Sequence, residues 1–327
     1  METLLYRLVR ALVNFLQRRS LVSAARLGRA AGAVAYLADA RHRRVAIRNL
    51  TMCFGQEKSA KEIRALAREN FRRIGENFAC AVKTAAMSFE ELRPYVEFVG
   101  NSRIISPPPG EKPQGVVAAI GHFGNFELYA RFHHFAPSYT CATTYRALRQ
   151  PSLNRLVQSL RERSGCLFFE RRFDAGPLKA FMNQRGVMLG LLADQSAGTH
   201  GLRLPFFGHD CSTSAAPAVF ALRYNCALCV GVCYRVGLAR WRIEGSEEIP
   251  THLEGHPRTT EAIMRDVNGI FEAAARRDPA NWFWVHNRWK QFAAKSPQST
   301  LHSPPSAVQG SQSADRGPKP QEAVGGG

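Results

Sequence analysis

In the segment Ile120-Gly-His122-Phe-Gly124-Asn125-Phe-Glu127, four residues separate a histidine from a carboxylate. A neutral imidazole can take a proton from a hydroxyl as that oxygen attacks a carbonyl. A carboxylate on the other ring nitrogen would fix the tautomer and raise its basicity. The segment follows the apolar run 115–121, a buried strand by length, and opens a helical stretch near 126–134. His122 then falls at the strand's carboxyl end, where α/β proteins place ligands. Asn125 is the expected N-cap and Glu127 falls in the first turn. That turn is expected to bring the Glu127 carboxylate back against the imidazole. The plainer reading of so short a pattern is a satisfied histidine beside an unrelated glutamate, and the flanking sequence must decide between them.

The elements that would position this pair are legible around it. Apolar runs near 139–144, 187–193 and 227–236 read as further strands. Helical segments lie between them, near 151–164, 177–184 and 214–224, with a last helix from about 259 to 277. Strands alternating with helices specify an α/β layered sheet with flanking helices. Asp194 ends one of these apolar runs, near the His122 strand end. It is either an orienting group for an arginine or acceptor, or a cap or turn residue. Ahead of the strands the chain is mostly helical. Ser59-Ala-Lys-Glu62 and Ser88-Phe-Glu-Glu91 are capping boxes that open helices.

Residues 1–40 form an amphipathic segment. Leu4, Leu5, Leu8, Val9, Leu12, Val13, Phe15 and Leu16 recur at three- and four-residue steps, punctuated by Arg7, Arg10, Arg18 and Arg19. A spanning helix needs about twenty largely uncharged apolar residues, which no window here supplies. The arginines also break up any signal-peptide core. The pattern suits a helix lying in a membrane interface, or an ordinary surface helix packed on its own domain. Residues 41–294 would form the main domain. From 295 to 327 the chain is rich in Ser, Pro, Gln and Gly, and is expected to be disordered.

The 327 residues carry 44 basic and 26 acidic side chains, a formal net charge of +18. So large a surplus calls for acidic partners. The chain has no zinc-finger spacing, no RNP-like strand and no phosphate loop, and its basic residues are dispersed, so no nucleic acid is expected. Anionic lipid and an acidic carrier protein rank higher. Eight cysteines sit mostly in apolar runs and read as reduced thiols. Cys226, Cys229 and Cys233 lie in a strand-like run that would put 229 and 233 on one face and 226 on the other, so a core strand is favoured over a metal site.

Several segments, in order, carry a family resemblance. Gly121-His-Phe-Gly-Asn-Phe-Glu127 resembles the His-x4-Asp/Glu motif of the late acyltransferases of lipid A biosynthesis, relatives of the glycerolipid acyltransferases. Asn49-Leu-Thr-Met-Cys-Phe54 resembles the family's Asn-Leu-x-x-Cys-Phe segment, and Tyr145-Arg-Ala-Leu-Arg-Gln-Pro151 its Tyr-Arg-Pro-Leu-x-x-Pro stretch, with Ala147 in place of proline. Ala193-Asp-Gln195, Leu204-Pro-Phe-Phe-Gly208 and Trp284-Val-His-Asn-Arg-Trp289 are similar to its later motifs. The resemblance runs from about 40 to 290.

It implies an acyl transfer without a covalent enzyme intermediate. His122 and Glu127 would activate a hydroxyl of a lipid A precursor, which attacks a thioester on acyl carrier protein, with Gly124 and Asn125 as oxyanion or motif support. No cofactor is expected beyond the acyl-carrier-protein or acyl-CoA co-substrate, and no metal. The absence of a Gly-x-Ser-x-Gly elbow disfavours a serine hydrolase. Arg171 and Arg172 follow a strand-like run, an arrangement similar to the glycerolipid acyltransferase block in which an arginine holds substrate phosphate. Arg146, Arg149 and Arg163 are further substrate-binding candidates, as is Asp194. As a group the arginines fit a doubly phosphorylated lipid and an acidic carrier, and each alone is as readily a solvated charge. Phe168, Phe169, Phe206 and Phe207 line an acyl slot or fill the core. Trp282, Trp284 and Trp289 sit at the lipid interface or cap the core. The expected location is the cytoplasmic face of a bacterial inner membrane, held peripherally. The rival acceptors are a lysophospholipid and a glycosylated phosphatidylinositol. The rival of another class is a non-catalytic lipid-binding protein.

Overall fold

The computed structural model describes residues 2–100 and 112–290. The expected tail at 295–327 lies outside the described residues. Helices α1 (Glu2–Gln17), α2 (Leu21–Ala38), α3 (Ala40–Phe54), α4 (Ala60–Thr84) and the short α5 (Phe89–Leu92) come first. Both expected capping boxes form, at Ser59 with Glu62 and at Ser88 with Glu91. α2 and α4 cross closely because glycines line the crossing. A Cβ on Gly28 would run into the Gly75 carbonyl, and one on Gly75 into the Gly28 carbonyl.

A wholly buried carboxylate ties these helices to the sheet. Glu76 of α4 accepts from Arg29 of α2 at 3.2 Å, from Arg235 Nε at 2.9 Å and from the Ala239 N–H at 3.0 Å. Such a group is tolerated only when its oxygens are fully occupied, as they are here.

The main sheet has seven strands: β1 (Val96–Val99), β2 (Val116–Ile120), β3 (Thr140–Tyr145), β4 (Leu167–Glu170), β5 (Val187–Leu192), β8 (Ala227–Gly237) and β9 (Arg240–Gly245). Their order is β1-β9-β8-β2-β5-β3-β4, parallel throughout except for the β8–β9 pair. A separate hairpin is made by β6 (Leu202–Phe206) and β7 (His209–Thr213). Helices α6 (Pro151–Arg161), α7 (Ala175–Met182), α8 (Ala216–Arg223) and α9 (Thr260–Arg277) complete the layers. The mixed α/β architecture is the one the sequence pattern specifies. β1, β9 and the hairpin are additions to it.

Side chains alternate across the central strands. Val117, Ala119, Leu189, Leu191, Leu228 and Val230 point into the main core, among α3, α4, α8 and α9. Val116, Met188, Ala227 and Cys229 point to the other face, with Tyr139 and Cys141. Cys226, Cys229 and Cys233 are buried in three different core clusters, which is ordinary strand packing. Burial raises the Cys229 thiol to about 12. Among the described residues no group of three or more metal-ligating side chains is assembled.

Candidate active site

β2 and β5 are parallel neighbours in register, with Ile120 opposite Leu192. The ladder extends one step further, through the Ala193 N–H to the Ile120 carbonyl at 3.0 Å. His122 and Asp194 therefore leave the same sheet edge at the same height. The Asp194 carboxylate grips the histidine twice: Oδ1 lies 2.8 Å from Nδ1, and Oδ2 accepts the His122 backbone N–H at 2.9 Å. Oδ2 also accepts the Trp282 indole N–H at 2.8 Å. Burial by itself would raise the Asp194 carboxyl. The facing His122 and these three donors outweigh it and hold the group at about 2. A carboxylate can only accept, so Nδ1 carries the proton, and in the neutral ring the lone pair is on Nε2.

This geometry corrects the sequence expectation for Glu127. Its carboxylate does not turn back on the imidazole. It forms a bidentate pair with Arg161, at 2.6 Å to Nη2 and 3.1 Å to Nε. Two features cause the difference. Residues Phe126–His134 form a 3₁₀ helix, and Asn125 makes no side-chain capping bond to it. A guanidinium fork is also a better partner for a carboxylate than a neutral ring nitrogen.

Two cavities meet at His122. The larger, about 700 Å³, lies against the sheet's second face. Its floor is apolar, with Ala118, Ile120, Met188 and Cys229 from the central strands, Phe98 from β1 and Phe132 from the 3₁₀ stretch 126–134. The smaller, about 260 Å³, lies between α4 and the 3₁₀ helix and is lined by Ile74, Phe78, Val82 and Phe283. His122, Phe126, Glu127 and Arg161 face both. The His122 side chain is 16% exposed, so a base held in fixed orientation is reachable at the junction of two apolar slots.

Residues 3–291 match the family model described as bacterial lipid A biosynthesis acyltransferase. The chain belongs to that family. Among similar curated proteins are a lipid A biosynthesis palmitoleoyltransferase of Escherichia coli (strain K12) and a lipid A biosynthesis acyltransferase of Shigella flexneri. Each is 24% identical over 272 residues, covering 81% of this chain and 84% of the relative. The protein is thus an acyltransferase of lipid A biosynthesis.

Several sequence motifs of the acyltransferase prove to be supports for the pair. Asn49 Nδ2 donates to the carbonyls of Trp284 at 3.0 Å and His286 at 2.9 Å, and Asn70 Nδ2 donates to those of Ala280 and Trp282. Two asparagines of the N-terminal helices thereby fix the segment that delivers the Trp282 indole to Asp194. Trp282, Trp284 and Trp289 are all buried, which settles them as core residues. His286 Nε2 accepts the Ser196 N–H at 3.1 Å; burial lowers its pKa and favours the neutral, accepting ring. Phe206 and Phe207 are core, Phe169 packs against the core, and Phe168 lines the larger cavity beneath Arg161.

The arginines divide. Arg146 and Arg171 line the larger cavity of the acyltransferase with exposed side chains, and Arg171 Nε donates to Thr144 Oγ1 at 3.2 Å. Arg149 and Arg172 are exposed away from its lining, and Arg163 faces a different cavity. Arg161, which the sequence reading did not place in the site, lines both cavities together with His122, whereas Arg146 and Arg171 line only the larger. Gly124 is also corrected as an oxyanion donor, because its N–H is spent on the Asn281 carbonyl at 3.2 Å. Its requirement is steric: φ is +50°, and a Cβ would meet the Cys233 carbonyl at 2.5 Å. Asn125 keeps a buried Nδ2 with no partner among the described residues, on the wall of the smaller cavity.

Proposed function

We propose that the protein transfers a fatty acyl chain from a thioester on acyl carrier protein to a hydroxyl of a lipid A precursor, with His122 as general base. The observation that carries this reading is the His122–Asp194 pair, its Nδ1 held by the carboxylate at the meeting point of two apolar cavities. The acceptor hydroxyl gives its proton to Nε2 as its oxygen attacks the thioester carbonyl. The carrier thiolate leaves on collapse of the tetrahedral intermediate and takes that proton back. Asp194 stabilises the imidazolium formed between these steps. Asn125 Nδ2 is the donor available to the developing oxyanion. Glu127 fixes Arg161 between the cavities and so holds the walls at which both chains arrive.

Arg146 and Arg171 supply positive charge at the larger cavity, suited to an acidic carrier or a phosphate. Membrane contact is assigned to α1. It buries Val13 and Leu16 and leaves Leu4, Leu8, Leu12 and Phe15 between 42% and 63% exposed. Arg7, Arg10, Arg18 and Arg19 accompany that stripe, the composition of a helix lying in a lipid interface. Among the described residues no helix is long and apolar enough to cross a membrane. The reading places the protein peripherally on the cytoplasmic face of the inner membrane. Incubation with an acyl-carrier-protein thioester and a lipid A precursor, followed by mass spectrometry of the lipid, tests the assignment. Gain of one acyl mass supports it. No gain with a folded protein and an intact donor rejects carrier protein as donor or lipid A precursor as acceptor.

A further inference from the structure

A third cavity, of about 500 Å³, opens between α1, the end of α4 and α6. Arg10, Arg155 and Arg163 line it with Tyr6 and Ser159, and Glu162 is its one acidic side chain among the described residues. Several half-buried arginines elsewhere are paired with carboxylates, though the fully buried Arg288 is not, whereas Arg10, Arg155 and Arg163 line this cavity with exposed side chains. Arg29 meets Glu69 and Glu76, Arg73 meets Asp278, Arg161 meets Glu127, and Arg235 meets Glu76. Among the described residues no carboxylate lies within ion-pair distance of Arg10, Arg155 or Arg163. Arg10 is steadied by the Tyr6 hydroxyl at 2.8 Å, and the Arg155 and Arg163 side chains have no hydrogen-bond or ion-pair partner among the described residues.

The wall behind them adds positive charge rather than removing it. Arg131 is buried and spends its guanidinium on carbonyls, those of Arg163 at 2.6 Å, Thr84 at 3.3 Å and Met87 at 3.4 Å. It pins the Arg163 corner to the end of α4, so the cavity is a held shape. Burial, and then the Arg163 charge, lower the Arg131 pKa, as expected where cations face one another without an acid between them.

The three cavities adjoin one another through shared walls. The larger and smaller ones share His122 and Arg161, and the smaller one shares Ala85 and Leu160 with the third. A basic polar chamber beside α1, an apolar slot and His122 thus lie in succession, an order that suits an amphipathic molecule. Resting on the proposed function above, we infer that Arg10, Arg155 and Arg163 bind a phosphate group on the headgroup of the acyl acceptor, while an apolar chain of that acceptor occupies the slot leading to His122. Guanidinium forks suit phosphate oxygens, and the chamber is of the size that holds a phosphorylated sugar headgroup.

The test compares the wild-type chain with Arg155→Ala, Arg163→Ala and the double variant. Each is assayed in neutral detergent micelles on a phosphorylated lipid A precursor and on the same lipid after enzymatic dephosphorylation. On the phosphorylated lipid, each single variant should raise KM for the acceptor about 10–100-fold, the loss of one charge-assisted contact. kcat and the KM for the thioester should change less than about threefold, a loss of binding common to ground and transition states. On the dephosphorylated lipid, variants and wild type should be alike. Equal effects on both lipids, or none on either, overturn the inference while leaving the proposed function intact. If instead the variants lose only binding to phosphatidylglycerol vesicles, with acceptor KM in micelles unchanged, the site belongs to bilayer phosphates and the assignment to the acceptor is wrong. A wild-type chain that acylates neither lipid removes the proposed function and this inference with it.

Discussion

Asp194→Asn is the substitution that most sharply separates the pair seen in the structure from the one read in the sequence. Three donors converge on the two Asp194 oxygens: the His122 N–H at 2.9 Å, the Trp282 indole at 2.8 Å and His122 Nδ1 at 2.8 Å. Asparagine offers one accepting oxygen and one donating amide. If the oxygen keeps the backbone N–H and the indole, the amide faces Nδ1. That nitrogen must then accept, and the proton moves to Nε2. The opposite orientation sets the amide against two fixed donors, costing roughly 1–3 kcal/mol for each bond lost. The variant therefore holds His122 in the tautomer with no lone pair toward the hydroxyl. Where an orienting aspartate of a catalytic histidine was so replaced in a serine protease, kcat fell about 10⁴-fold. A loss of about 10³–10⁴-fold, or roughly 4–5.5 kcal/mol of barrier, is expected here.

The fold should survive this change. The displacement of the Asp194 pKa from 3.8 to about 2 is worth about 2 kcal/mol. That is a fraction of the roughly 5–15 kcal/mol typical of domain stability. The assay is the initial rate of acyl transfer at saturating thioester and acceptor, with circular dichroism to confirm the fold and nitrogen NMR of the His122 ring to report its tautomer. A folded variant with kcat within about fivefold of wild type, or one still protonated at Nδ1, would refute the reasoning.

Other perturbations have different signatures. Glu127→Ala and Arg161→Ala should each lower kcat/KM by about 10–100-fold, and the double variant should be little worse than either, because the two act as one bonded unit; additive losses in the kinetic assay would break that link. Gly75→Ala drives a Cβ into the Gly28 carbonyl, and should cost about 1–3 kcal/mol in thermal unfolding as an overpacked contact; an unchanged Tm would show that the helices can separate freely. Replacing Leu4, Leu8 and Leu12 together by serine should weaken sedimentation with anionic vesicles by at least about tenfold, from the apolar burial forgone; undiminished binding would remove α1 from the membrane contact. Acid stability should fall in two stages. His286, His133 and His134, each with its pKa lowered by burial, contribute fully above about pH 6.5 and lose their contribution as pH drops through their lower folded values. Asp194 contributes fully above about pH 4 and loses its contribution toward pH 2. His286→Gln should reduce the first stage of urea unfolding measured against pH, leaving the share of His133 and His134, and leave the second stage; an unaltered first stage would contradict the assignment.

Much of the scaffold could be read from local pattern. β2, β5 and most of β8 are continuous apolar runs because both faces of a parallel sheet are covered, β3 is rich in β-branched threonine, and the capping boxes at Ser59 and Ser88 mark helix starts by their own hydrogen bonds. The edges were harder. β1 has four residues, β6 contains Pro205, and β9 buries only Trp241 and Ile243 between arginines. His122 was recognisable because a strand, a turn and a histidine adjoin in the chain. Its true partner is 72 residues away, and the pairing exists only because β5 lies beside β2. Asp194 stood out as the end of an apolar run, so its importance was visible and its partner was not. The Glu127 expectation failed on backbone geometry: a 3₁₀ turn without an asparagine cap, and an arginine from α6 that competes for the carboxylate.

The most direct test of the account is the acyl-transfer rate of His122→Ala, since the other basic group at the junction of the two cavities, the Glu127 carboxylate, is held by Arg161. Measured by mass spectrometry of the acceptor lipid under conditions where wild type turns over, the folded variant should lose at least about 10³-fold in rate, consistent with removal of a general base and its orientation. A folded His122→Ala protein that still adds the acyl mass at a rate near wild type would contradict the central claim that this histidine, held by Asp194, performs the proton transfer.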